Sequence, residues 1–194
     1  MKRLLLLFLF PIALPSVAQK WAKEFDFVDN CICGLSLVKK DGKYGYVDKE
    51  GNIKVPLQYV EASTFNEGYA AVRKGTNWQY IDSTGKAITE AIYQDALGFH
   101  DGLAAVKVKE GYGYIDYSGH YAIPVQFDNA RGFAEGLAAV CNAKGNWGYI
   151  DMKGNIVIGY QYSFADNFEN GEARVMKGEK VLMINKENKL VKEF

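Results

Sequence analysis

An all-β tandem array is the fold class this sequence predicts, and three observations predict it. The first is periodicity. Glu67-Gly68-Tyr69-Ala70-Ala71-Val72 returns as Asp101-Gly102-Leu103-Ala104-Ala105-Val106 and as Glu135-Gly136-Leu137-Ala138-Ala139-Val140, with altered copies at Cys33-Gly34-Leu35-Ser36-Leu37-Val38 and Asn170-Gly171-Glu172-Ala173-Arg174-Val175. The glycines are 34, 34, 34 and 35 residues apart, a period at which no unit buries its apolar face alone and neighbours must stack. The second is that the apolar runs are short and rich in β-branched and aromatic residues. The third is the turn chemistry that punctuates each run.

Taken in order, each unit opens with a ladder of period three: Tyr59, Ala62, Phe65, Gly68; Tyr93, Ala96, Phe99, Gly102; Phe127, Ala130, Phe133, Gly136; Tyr162, Ala165, Phe168, Gly171. Three is neither a strand's period nor a helix's, so an irregular connector with one buried side is expected, closed by a glycine at positive φ. The first copy puts Cys31 in the phenylalanine slot, where a small buried hydrophobe is expected. The Ala-Ala-Val strand follows, then a hairpin turn such as Lys40-Asp41-Gly42-Lys43, then Tyr44-Gly45-Tyr46-Val47-Asp48 and its copies at Trp78, Tyr112, Trp147 and Val181. Gly45, Gly113 and Gly148 in this strand predict a crowded contact between units. Asp-x-x-Gly comes next, at Asp48, Asp82, Asp116 and Asp151. It predicts a turn in which the carboxylate takes backbone N–H groups two and three residues on. The fifth copy has Asn185 and Asn188, the side chains that can mimic each role. Asn52-Ile53-Lys54-Val55-Pro56 and its copies form the last strand.

The units are therefore 25–58, 59–92, 93–126, 127–161 and 162–194, each a three-stranded antiparallel meander plus an aromatic ladder, within one domain over 25–194. An open solenoid-like stack is expected, because a propeller blade ordinarily needs four strands and a longer repeat. A closed five-unit propeller-like ring is the alternative, and a disulfide from Cys141 to Cys31 or Cys33 would favour it.

Before the units, Lys2 and Arg3, the apolar Leu4 to Leu14 run and Ser16-Val17-Ala18 predict a cleaved signal peptide over 1–18, followed by a short segment over 19–24. A periplasmic or secreted location is expected. The whole chain has 23 basic and 23 acidic residues. Loss of Lys2 and Arg3 leaves a slight acidic excess, which disfavours nucleic acid as a partner. No later run is apolar enough for a transmembrane helix. Three cysteines form no disulfide framework, and Cys31-x-Cys33 lacks a second pair for zinc.

The whole phrase resembles the bacterial WG-repeat family, also called KWG repeats: an aromatic-Gly-Tyr-Ile-Asp strand, an Asp-x-x-Gly turn, an apolar strand, the aromatic ladder and Glu-Gly-Leu-Ala-Ala-Val. The resemblance covers residues 25–194, and Trp147-Gly148 spells the dipeptide in full. It implies an all-β array on exported or surface proteins and brings no common catalytic residue set.

No nucleophile elbow, phosphate loop, zinc helix or calcium loop occurs, so no enzyme activity and no cofactor or metal is expected. The acidic residues Glu67, Asp101 and Glu135 read as a solvated edge, and His100 as a surface histidine. The candidate ligand surface is aromatic: Tyr44, Tyr46, Trp78, Tyr80, Tyr112, Tyr114, Trp147 and Tyr149. If exposed, these rings would supply stacking platforms for sugar or protein; at least one of each pair is expected in the core between units. Two functions follow. One is a non-catalytic binding or scaffolding module that meets another exported or envelope protein. The alternative is a lectin-like module for glycan or cell wall.

Overall fold

The computed structural model describes residues 20–90 and 92–194; the expected signal peptide lies outside the described residues. Five antiparallel sheets of three or four strands follow one another, one per repeat. The first is Phe27–Ile32, Leu35–Lys40, Lys43–Asp48 and Ile53–Tyr59, a meander in chain order. The third, Asp95–Ala96, Ala104–Val108, Gly111–Ile115 and Tyr121–Phe127, repeats it, as do the fourth and fifth. The second has Glu61–Ala62, Tyr69–Lys74 and Asn77–Asp82. Its fourth position is held only by single bridges, Ile81 to Ala87 and Trp78 to Tyr93.

The aromatic ladder, expected as a connector outside the sheets, supplies their first strand. Ala62 pairs with Val72 and Ala96 with Val106. The chain then reverses through a two-residue hairpin in which Asn66 and Tyr69 exchange both backbone hydrogen bonds at 2.9 Å. Glu67 and Gly68 between them have φ of 50° and 87°, the left-handed pair of a type I′ turn.

Consecutive sheets pack face to face, and the core lies between them. Tyr46 and Val55 of unit one meet Phe65, Val72 and Ile81 of unit two in one cluster, and the pattern recurs at the next three junctions. Period-two alternation makes this work. Tyr80 faces unit three while its neighbour Ile81 faces unit one. At every junction a tyrosine packs at a steep angle, 56–62° between ring planes, against the next unit's ladder phenylalanine: Tyr46 against Phe65, Tyr80 against Phe99, Tyr114 against Phe133 and Tyr149 against Phe168, with centroids 4.6–5.0 Å apart. Such a pair contributes about 0.5–1.5 kcal/mol beyond the area it buries.

This handshake corrects the reading of Cys31. Among the described residues no unit's tyrosine covers this phenylalanine slot, and Cys31 is exposed together with Cys33. Cys141 is buried, and all three are free thiols. The four cores join neighbouring units, and among the described residues no hydrogen bond, ion pair or ring contact links unit one to unit five. The array is open, as expected, and the closed ring is not formed. At its start Trp21, in the 3₁₀ segment Lys20–Glu24, fills the space above Gly51 that Val55 fills above Gly85 and Ile123 above Gly154. The segment thus stands in for a preceding unit.

The glycines of the third strand are crowded by their own sheet, not by a neighbouring unit. A Cβ on Gly45 would lie 2.7 Å from the Val55 carbonyl oxygen, and one on Gly113 would lie 2.9 Å from that of Ile123. The cause is a bulge in the fourth strand, where the register slips between Tyr44 and Tyr46 and between Tyr112 and Tyr114. Unit five lacks that slip, pairing Leu182 with Glu193 and Met183 with Lys192 in step, so Leu182 fits where units one, three and four have glycine. In unit two the bridges Trp78 to Tyr93 and Ile81 to Ala87 span the same net slip as unit one, and nothing in the structure explains why Gln79 stands there.

Candidate functional site

The eight aromatics proposed as a ligand surface divide in two. Tyr46, Tyr80, Tyr114 and Tyr149 are wholly buried, which removes them from any exposed platform. Each hydroxyl donates to a backbone carbonyl of the next unit, at Ser63, Leu97, Arg131 and Asp166, over 2.5–2.8 Å. Burial pushes all four phenols well above their ordinary pKa. Of the other four, Tyr44, Trp78 and Trp147 are half-buried and Tyr112 is buried. Tyr112 donates to Asp95 Oδ2 at 2.8 Å, and Lys39 and Lys107 lie over the rings of their cross-strand partners Tyr44 and Tyr112.

The carbonyls that receive the tyrosine hydroxyls belong to the ladder, and there the side chains cease to repeat: Ser63, Leu97, Arg131, Asp166. The ladders of successive units converge. Asn66 Nδ2 donates to the Phe99 carbonyl at 2.7 Å, and Arg131 Nε donates to the Ala165 carbonyl at 2.6 Å. Arg131 also lies over the rings of Trp147 and Phe164 and pairs loosely with Asp166 at 3.5 Å. Arg174 closes the cluster, 2.8 Å from the other Asp166 oxygen and over Phe164. Arg131 stands between two clefts. One, of about 510 Å³, carries Asp95, Asn129, Trp147 and Asn167; the other, of about 650 Å³, carries Glu169, Glu172 and Met183. Such a cluster can hold an ordered pattern of donors and ring faces toward a ligand. It has no nucleophile paired with a base.

Two sets of carboxylates have structural work instead. Asp48 Oδ1 accepts the N–H groups of Glu50 and Asn52, two and four residues on, while the Gly51 N–H goes to the Asp48 carbonyl. The expected bond at three residues is thus made by the backbone. Asn185 and Asn188 reproduce the turn: Asn185 Oδ1 takes the Lys189 N–H, and Asn188 has φ 60°. A side-chain hydrogen bond from Asn52 leads the causes that hold Asp48 down to about 2. The second set, Glu67, Asp101 and Glu135, is solvated as expected and also spans units. Glu67 takes the Asp101 and Gly102 N–H groups, Asp101 takes that of Gly136, and Glu135 takes that of Gly171. Tyr117, on the Asp116 turn, and Lys186, on the equivalent Asn185 turn, reach back to Glu67 and Glu135. His100 is exposed and lies within hydrogen-bonding distance of Asn66. Among the described residues, no group of three or more His, Cys, Asp or Glu is placed to hold a metal ion.

The sequence profile described as "WG containing repeat" matches residues 22–44, 44–78, 80–111, 112–145 and 147–180. The chain belongs to the WG-repeat family. No curated protein matches it in sequence. In fold, this WG-repeat chain is similar to Kluyveromyces lactis Hsv2p (TM-score 0.57, 13% identity, 87% of this chain and 62% of that one). It is also similar to BamB from Moraxella catarrhalis (0.52, 12%, 83% and 58%) and to a eukaryotic initiation factor (0.51, 10%, 86% and 65%). The WG-repeat chain thus spans about three-fifths of the length of these structures, and the likeness is one of propeller-like fold.

In WG-repeat terms, the residues that sequence reading missed are the departures from the repeat. Arg131, Phe164, Asp166 and Arg174 stand where sister units carry unrelated side chains, and aligning the units column by column marks all four.

Proposed function

We propose that this chain is a non-catalytic binding module that meets another exported or envelope protein through the ladder edge of units three to five. A repeated propeller-like fold suggests a protein-interaction module. The observation that carries the finer reading is the contrast at the tyrosine junctions. The same hydroxyl-to-carbonyl bond recurs four times, while the residue supplying the carbonyl changes from Ser63 to Leu97, Arg131 and Asp166. A constant scaffold with a changing side-chain row is what recognition of one particular partner requires. Arg131, flanked by Trp147 and Phe164, has the residue types that concentrate binding energy at interfaces. The Lys2-Arg3 start and the Leu4 to Leu14 run support export.

The test is site-directed crosslinking in the native envelope, with a photoreactive residue at exposed Asn167. A discrete adduct that Arg131→Gln removes, while the thermal midpoint stays within about 2 °C, is expected. No adduct, or one indifferent to Arg131, would count against the reading. A Trp147 emission shift on adding cell-wall oligosaccharide, with no protein adduct, would favour the glycan alternative.

A further inference from the structure

One contact between units has its donors at every junction but its acceptor at only three. Where unit two meets unit three, the hairpin N–H groups of Asp101 and Gly102 converge on the Glu67 carboxylate, and the Tyr117 hydroxyl donates to the same carboxylate at 2.8 Å. The next two junctions repeat the arrangement. Gly136 donates to Asp101, and Gly171 donates to Glu135, where Lys186 Nζ stands in for the Tyr117 hydroxyl at 2.9 Å. Successive N–H groups in a left-handed turn form a concavity suited to an anion. All three of these turns receive a carboxylate from the preceding unit.

The first junction has the same donors. Glu67 and Gly68 hold φ of 50° and 87°, against 53° and 83° at Asp101 and Gly102, so the two turns share one backbone shape. Ser83 follows Asp82 as Tyr117 follows Asp116 and Lys186 follows Asn185, which puts an exposed residue with a hydroxyl at the third donor's repeat position. Only the acceptor differs. Unit one offers Cys33, whose side chain stops at Sγ, and among the described residues neither the Glu67 nor the Gly68 N–H meets an acceptor of the chain. Approach is open, because Cys33 is exposed and a Cβ built on Gly68 would have nothing within 4 Å. The Glu67 side chain does not stand in the way. Asp101 shows that an acidic residue can take a carboxylate on its N–H while sending its own carboxylate on to the next unit.

We infer that the Glu67-Gly68 turn is a carboxylate-binding site whose acceptor comes from outside the chain, as an aspartate or glutamate side chain of a binding partner. The three sister junctions fix the chemistry: the same pair of backbone donors, in the same turn, takes a carboxylate each time. Hydrogen bonds from backbone N–H to a charged acceptor are among the stronger ones available to a surface. The site belongs to units one and two, away from the Arg131 cluster, and stands or falls separately from the reading given to that cluster.

Amide NMR on the isotope-labelled protein tests this, with sodium acetate as the probe and sodium chloride at equal ionic strength as the control. The Gly68 amide proton should move downfield and saturate in the millimolar range. Gly102, Gly136 and Gly171, whose acceptors are built into the chain, should move no more than in chloride. Cys33→Asp, which brings in an acid of the length that serves at Asp101, should abolish the Gly68 response, and Ser83→Ala should weaken binding about threefold or more. A tripeptide with a central glutamate, blocked at both ends, should bind as acetate does. Acetate binding without peptide binding would overturn the assignment to a partner's side chain. A Gly68 shift that chloride reproduces, or that both variants leave unchanged, overturns the site itself.

Discussion

The carboxylate of Glu67 accepts the backbone N–H groups of Asp101 and Gly102, 2.9 and 3.0 Å away and one full repeat further along the chain. Asp101 does the same for Gly136 at 2.8 Å, and Glu135 for Gly171 at 3.1 Å. Each acid sits in the left-handed position of its own type I′ turn, with φ of 50° to 53°. Its backbone is therefore fixed before its side chain reaches across.

Unit one breaks the row, because Cys33 holds the same turn position, at φ 53°, without an acceptor oxygen to offer. Cys33→Asp should complete it, since Asp101 shows that an aspartate side chain is long enough. Aspartate also tolerates the left-handed region better than cysteine. A stabilisation of about 1 kcal/mol is expected, read as a higher urea midpoint with unchanged slope. An unchanged or lower midpoint would mean that the acids contribute nothing to stacking.

The tyrosine–phenylalanine junctions should carry far more. Phe99 is fully buried against Tyr69, Tyr80 and Tyr117, and Phe99→Ala should cost about 3–5 kcal/mol, as large core truncations do. Tyr114→Phe keeps the ring but strips the Arg131 carbonyl of its donor, a loss of about 1–3 kcal/mol. Chemical denaturation measures both. A cost under about 1 kcal/mol for Phe99→Ala would place the ring outside the cooperative core.

Gly113→Ala tests the bulge. The added methyl would press on the Ile123 carbonyl and the Val125 nitrogen, both backbone atoms 2.9 Å away. Relief requires the fourth strand to move, at about 1–3 kcal/mol. A cost below about 1 kcal/mol would argue against crowding as the reason for glycine.

Stability should fall at both ends of the pH range. Side-chain bonds from Asn52, Thr84, Ser118 and Asn155 lead the causes that lower Asp48, Asp82, Asp116 and Asp151 below 3.8. A lowered carboxylate stabilises the fold above its unfolded pKa, and that contribution is lost as pH falls through the folded value. The urea midpoint should therefore drop between about pH 4 and pH 2. Buried tyrosines act in the opposite sense. Burial raises Tyr93 to about 12 from 10.0 and the four junction tyrosines as well. Their contribution is whole below pH 10 and declines above it. A flat midpoint from pH 10 to 12 would contradict the burial of these phenols.

The repeat phase, strand order and Asp-x-x-Gly turns were legible in the sequence because each depends on residues close in the chain and recurs from unit to unit. The ladder was harder. Its period of three combines the last residue of one sheet, Tyr59, with a short strand at Ala62 and a turn approach at Phe65, which are three local geometries and one buried side. Cys31 could not be placed from its column alone, because burial there is supplied by the preceding unit's tyrosine and among the described residues unit one has none. The Glu67 row looked like solvent-facing edge because its bonds go to backbone 34 residues away, where no side-chain pattern records them. Arg131 lay hidden for the opposite reason: it is an exception, and periodic reading averages exceptions out.

Since Tyr46 completes its packing only against Phe65, and Tyr80 only against Phe99, a chain leaving the ribosome holds one unfinished sheet face at every stage. Each newly emerged repeat seals the last and exposes its own. Maturation should proceed as a travelling front, with a waiting interval of one unit's synthesis between steps. A pause placed just after Tyr114 would leave a sticky aromatic surface open to chaperones, since Phe133, Ala138, Val140 and Ile150, which complete its core, are still to be made.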